Sequence, residues 1–272
     1  MNVMRRIVPT RHGQVHARCA GGAAEPGPGA PAPRPLVLLH MSPRSSQMWE
    51  RLQALLPRPS IALDRLGYGF SDAPPRSLSM VEYAESVLDA LDALGIGAQF
   101  DVLGMHTGCL EAIELGHLAP ARVRRIGLIA IPCFTAEERA AGLASFAQMR
   151  VTPVEDGAHL QAAWRARFQY RTPPWDLADV QRRLVDYLLA PHPGAAYDAV
   201  FRHDTAARLG ALSQPVIAFA PRDDVYEVTL RSKPLLPPGA SYVDLPRFEL
   251  DFLRTDTAEF AALLARHLPP SG

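Results

Sequence analysis

Cysteine is scarce: Cys19, Cys109 and Cys133 are the only three in 272 residues, odd in number and scattered. That argues against a disulfide framework or a zinc site and fits reduced thiols in a cytoplasm, the expected location. An excess of one charge is missing too. Lys plus Arg and Asp plus Glu number 28 each, so nothing draws the chain to nucleic acid or to an anionic membrane. No apolar run approaches the ~20 residues that a bilayer span needs. The opening MNVMRRIVPTRHG has no apolar stretch to serve as a signal peptide. No internal repeat is present, and no His occurs between positions 204 and 266.

What is there can bury a sizeable core, with 48% hydrophobic and 21% charged residues. The length suits one large domain, or a domain with an insertion. Residues 4–18 read as a hairpin turning on His12-Gly13. The Gly- and Pro-dense stretch GGAAEPGPGAPAPRP follows as an extended loop. Pro35–His40, Ser60–Leu63, Phe100–Leu103, Val123–Ile131, Pro215–Ala220 and Tyr242–Leu245 are short runs read as strands, most of the buried, parallel kind. Helical stripes separate them, one capped by Ser45 or Ser46 and one by Ser79. The alternation predicts an α/β fold with a mostly parallel central sheet and helices on both faces. It breaks between Phe134 and Leu212, where only helices are expected, at 136–149, 156–171, 176–190 and 195–209. The expected organisation is therefore a core of residues 1–133 and 213–272 with a helical cap, 134–212, inserted after the sixth strand.

The stretch from Gln99 to Gly116 organises the rest. An apolar strand turns on Gly104 and Gly108 into a helix carrying Leu110, Ile113 and Leu115. Strand, Gly-x-X-x-Gly turn and helix are the context of a nucleophile elbow, which aims one side chain into a pocket. Here that side chain is His106.

Four motifs in order carry a resemblance over nearly the whole chain. They are LLHMSP, DRLGYGFSD, LGMHTG and AFAPRDDVYEVT. Together they resemble the α/β-hydrolase fold with a helical cap: the oxyanion loop, the Asp-x-x-Gly-x-Gly-x-Ser segment, the elbow, and the segment that supplies the acid, with Asp224 in register. Two positions depart from the family pattern. His106 stands in place of the nucleophilic Ser. The family's C-terminal His falls on Leu250, with Asp251 beside it. The ordinary Ser-His-Asp mechanism cannot run with these residues.

The expected catalytic residues are His106, Asp224 and Asp251. Asp251 is taken as the carboxylate that polarises His106, and Asp223 and Glu249 rank behind it. The resemblance implies that the backbone N–H groups of Met41 and Thr107 form an oxyanion hole. The expected pocket residues are His40, Arg44, Cys133, Phe134, Trp164 and His203, with Trp175 as a further aromatic wall and Trp49 in the core. No metal and no cofactor are expected. The partner is a small, mostly apolar carbonyl compound, and the chain is expected to be a monomer or homodimer. Three functions stay open: hydrolysis of an ester, thioester or lactone with His106 as nucleophile or general base; lyase or other non-hydrolytic chemistry on a His106–Asp251 pair; and ligand binding without catalysis.

Overall fold

The computed structural model describes residues 3–21, 34–168 and 176–270. Most of the Gly/Pro-dense loop, Tyr170 and Trp175 lie outside them. The N-terminal hairpin pairs β1 (Val3–Thr10) with β2 (Gly13–Ala20). Then come β3 (Leu36–Leu39), α1 (Glu50–Leu55), β4 (Ser60–Leu63), α2 (Met80–Ala93), β5 (Phe100–Met105), α3 (Thr107–Leu118) and β6 (Val123–Ile129). One eight-stranded sheet forms, in the order β1-β2-β4-β3-β5-β6-β7-β8, with β7 (Val216–Pro221) and β8 (Ser241–Leu245) at the far side. Only the hairpin and its junction with β4 are antiparallel.

Period-two side-chain geometry splits each strand between two cores. Val37 and Leu39 pack with α2 and α3 on one face. Leu36 and Leu38 pack on the other with Trp49, Leu52 and Phe260. Residues of β3, β4, β5 and β7 are buried at every position, which is why those strands read as continuous apolar runs. Ser45 caps the short helical turn before α1, and Ser79 with Glu82 forms a capping box on α2. No described helix is long and apolar enough to cross a membrane.

Between β6 and β7 the described chain holds helices only: α4 (Ala136–Ala144), α5 (Ala158–Phe168), α6 (Leu177–Leu189), α7 (Ala195–Arg202) and α8 (Thr205–Gly210). The expected helix at 195–209 is broken. His203 turns extended, and the Asp204 side chain accepts the Ala207 N–H to start α8 afresh. The expected helix at 136–149 stops at Ala144, followed by one tight turn at Phe146–Gln148. β6 ends at Ile129 because Ala130 adopts φ 56°. Two short helices were not foreseen, α9 (Tyr226–Leu230) and α10 (Phe252–Thr255); α11 (Thr257–His267) closes the described chain. Tyr68 ties the helical segment to the sheet: its hydroxyl donates to the Pro193 carbonyl at 2.9 Å and accepts the Ala196 N–H at 3.0 Å.

Candidate active site

β5 reaches α3 through a single residue in a strained conformation, His106 at φ 48°, ψ −115°. Such a backbone costs energy in a residue with a side chain and clusters at functional sites. Its surroundings hold it there. The His106 N–H donates to the Ile129 carbonyl at 3.0 Å, and the His106 carbonyl accepts the Cys109 N–H at 2.8 Å. The flanking glycines make room. A Cβ on Gly104 would lie 2.1 Å from the Gly108 carbonyl oxygen, and one on Gly108 would lie 2.2 Å from that of Leu39. Helix, elbow and neighbouring strand are therefore in backbone contact, and the His106 side chain has only the cavity to enter.

The carboxylate that meets it is Asp223, just past β7. His106 Nε2 and Asp223 Oδ2 are 2.7 Å apart, with the Asp223 side chain fully buried. The other oxygen, Oδ1, accepts the Val225 N–H at 3.1 Å, which fixes the carboxylate's direction. A carboxylate only accepts, so in neutral His106 the proton sits on Nε2 and the Nδ1 lone pair is the basic one. Burial, the largest influence, disfavours imidazolium. The charge and hydrogen bond of Asp223, with a smaller contribution from Asp224, outweigh it, and the His106 pKa lies above the ordinary imidazole value.

A pH dependence follows. Chemistry that needs neutral His106 rises with pH through a midpoint above the free-imidazole value. In Asp223→Asn burial dominates, and the midpoint drops below it. NMR titration of the His106 ring reads both; an unmoved midpoint would remove Asp223 as the partner. The linked stability has the matching sign: the raised pKa makes this contribution fullest below the unfolded-state pKa and lost as pH rises through the folded-state one.

His106 opens into a cavity of about 440 Å³. Met41, on the loop after β3, and Thr107, at the start of α3, line it beside His106. The loop carrying Met41 is clamped from behind. Arg65 donates Nε and Nη2 to the two oxygens of Glu111 on α3, at 2.6 and 2.8 Å. It also donates to the Ser42 hydroxyl and the His40 carbonyl.

A profile of the alpha/beta hydrolase fold matches residues 34–219. The chain belongs to the α/β-hydrolase-fold family. No curated protein matches it in sequence. Among solved structures it is similar to a hydrolase from Pseudomonas aeruginosa PA01, with TM-score 0.76, 21% identity and 98% of each chain covered. It is also similar to the enol-lactonase from Burkholderia xenovorans LB400, with TM-score 0.76, 16% identity, 97% of this chain and 99% of that chain covered. Epoxide hydrolase A from Mycobacterium thermoresistibile gives TM-score 0.76, 17% identity and 98% coverage of both chains. At these identities the likeness is one of fold.

Within this α/β-hydrolase framework several site expectations need correction. Asp251 does not meet His106: it forms an ion pair with Arg183, and Arg254 lies 3.8 Å away. Asp224, in register with the family's acid, is exposed at the cavity rim, while its neighbour Asp223 turns inward to His106. His40 lies beneath the loop and does not line the cavity. Its Nδ1 donates to the Met41 carbonyl, its Nε2 accepts the Arg65 N–H, and burial beside Arg65 lowers its pKa to about 3. His203 is turned to Glu114 at 2.8 Å and to Thr205, in a network with Arg208. Cys133 is buried off the cavity, and burial raises its thiol pKa. Trp164 packs on Phe168 along α5 and does not line the cavity either. Arg44 and Phe134 do line it, as does Leu250.

The sequence reading missed Asp223 as the partner, the tyrosine Tyr197 and phenylalanine Phe201 of α7, and most of the arginines in the wall. The Arg182-Arg183 pair on α6 was a visible signal, but nothing local said that it faced inward. Ligand atoms of His106, Asp223 and Asp224 lie within 4.8 Å of one another, the one such group among the described residues. A metal ion bound there would replace the His106–Asp223 hydrogen bond.

Proposed function

We propose that this protein hydrolyses a small ester, thioester or lactone, with His106 as general base on a water molecule. One observation carries the reading: an elbow imidazole held by a buried carboxylate at 2.7 Å and lining a cavity of substrate size. In this scheme Nδ1 takes a proton from water as the oxygen adds to the carbonyl carbon. The tetrahedral oxyanion sits against the Met41 and Thr107 N–H groups. Its collapse breaks the bond to the leaving oxygen or sulfur, which takes the proton from His106. Residues 134–212 act as a cap over the site. With neither Ser at the elbow nor His at Leu250, a Ser-linked acyl intermediate has no place in the scheme.

The alternative in which His106 itself attacks differs in a measurable way. Mixing enzyme with excess p-nitrophenyl ester should give a linear time course and no acyl mass on His106 in acid-quenched protein. A burst of p-nitrophenol with acylated His106 would replace base by nucleophile. A lyase reading shares the His106 dyad. Deuterium appearing in recovered substrate without hydrolysis would favour it over both.

A further inference from the structure

The loop that carries Met41 is held from two sides. From the core, Arg65 donates to the Ser42 hydroxyl at 2.9 Å and to the His40 carbonyl at 2.8 Å. From the helical segment between β6 and β7, two helices reach the same few residues. On α7 the Tyr197 hydroxyl donates to the Ser42 carbonyl at 2.8 Å. On α6 the Asp186 carboxylate uses both oxygens. Oδ2 accepts the Arg44 Nε–H at 2.9 Å, and Oδ1 accepts the Ser45 hydroxyl at 2.6 Å. The loop's own backbone adds the bond from the Arg44 N–H to the Met41 carbonyl at 3.0 Å.

These grips lie away from water: Ser42, Ser45 and Asp186 are 3, 4 and 2% exposed. A buried acceptor left without its donor is costly, so removing one grip favours a rearranged loop. Tyr197 also faces two ways. Its ring lines the cavity, with its centroid 5.6 Å from that of Phe146 and 6.4 Å from that of Phe201. Its hydroxyl ends on the carbonyl of the residue after Met41. A side chain that touches both the substrate space and the loop can convert contact with the substrate body into geometry at the reacting carbon.

We propose that α6 and α7 set the conformation of this loop, with Tyr197 as a positioning residue that acts through Ser42 on the placement of the Met41 N–H. This rests on the hydrolytic scheme, in which that N–H stabilises the oxyanion.

Tyr197→Phe keeps the ring and removes the hydroxyl, which separates the wall from the hydrogen bond. Two measurements on the full chain test it. Hydrogen exchange read by mass spectrometry needs no turnover. Amides of residues 41–48 should exchange about 5-fold faster or more, the effect of one net hydrogen bond, while β5 and β6 exchange as in the wild type. On p-nitrophenyl butyrate, kcat should fall about 10-fold or more, as misplaced oxyanion donors cost. KM should stay within about 2-fold, and the pH midpoint of His106 should not move. Asp186→Asn loosens the second grip and should shift both measurements the same way; if Tyr197→Phe does not fold, it carries the test. Unchanged exchange at 41–48, exchange quickened throughout the sheet, or an unchanged kcat would overturn the proposal. A raised KM with kcat held would leave Tyr197 as substrate wall alone. Should the wild type turn over no ester, or His106→Ala keep full activity, the hydrolytic scheme would fall. Exchange alone would then decide whether α6 and α7 hold the loop.

Discussion

His106→Ala is expected to lower kcat on any turned-over ester by about 10²–10⁴-fold, the usual worth of a positioned general base. The loss should appear in kcat and not in KM, because the cavity wall is otherwise untouched. Folding should survive at a modest cost. Asp223 loses its imidazole partner but keeps the Val225 N–H, and an unpaired buried acceptor costs about 1–3 kcal/mol. His106→Gln is the cleaner control, since its longer amide reaches the position of the ring Nε2 and still offers Asp223 a donor. His106→Ser should be as inactive as the alanine variant. No other His lines the cavity among the described residues, and His203 is committed to Glu114. Unchanged turnover in His106→Ala would end the hydrolytic reading; high activity in His106→Ser would mean that another base reaches the elbow.

The largest stability effect is expected at the elbow glycines. Gly108→Ala places a Cβ 2.2 Å from the Leu39 carbonyl oxygen and 2.7 Å from its carbon. Both are backbone atoms of a central strand, so no side chain can swing away to relieve the clash. The expected loss is about 4 kcal/mol or more, in the range reserved for severe overpacking, read as a lowered urea midpoint or as insoluble protein. Gly104→Ala should do the same against Gly108. Gly97 offers the contrast: its Cβ would meet nothing within 4 Å. Gly97→Ala should leave stability unchanged or raise it by a few tenths to about 1 kcal/mol through the unfolded chain. Equal behaviour of Gly97→Ala and Gly108→Ala would mean that the elbow is not as tightly closed as these contacts require.

Much of the frame was legible because it rests on local rules. The runs read at Pro35–His40 and Ser60–Leu63 hold the strands Leu36–Leu39 and Ser60–Leu63, whose every residue is buried, and covered parallel strands need such runs. Ser45 and Ser79 cap as read, since a cap joins residues two or three apart. The helix boundary at His203 was missed because Asp204 can continue a helix or cap the next one. The decision there lies with His203's long-range bond to Glu114, 89 positions away.

The site divides in the same way. That His106 enters a pocket was determined by the sequence alone. The spacing of Gly104 and Gly108, set between an apolar strand and a helical stripe, marks the elbow turn, and in that turn the middle side chain is aimed at the pocket. Which carboxylate meets it was decided only by the tertiary structure. Asp223 and Asp224 are adjacent and chemically identical, and the turn after β7 sends one inward to a residue 117 positions earlier and the other to the rim. Asp251 had the right chemistry for the pairing, but Arg183 and Arg254 reach it from α6 and α10. A full ion pair at contact outcompetes an imidazole for the same carboxylate.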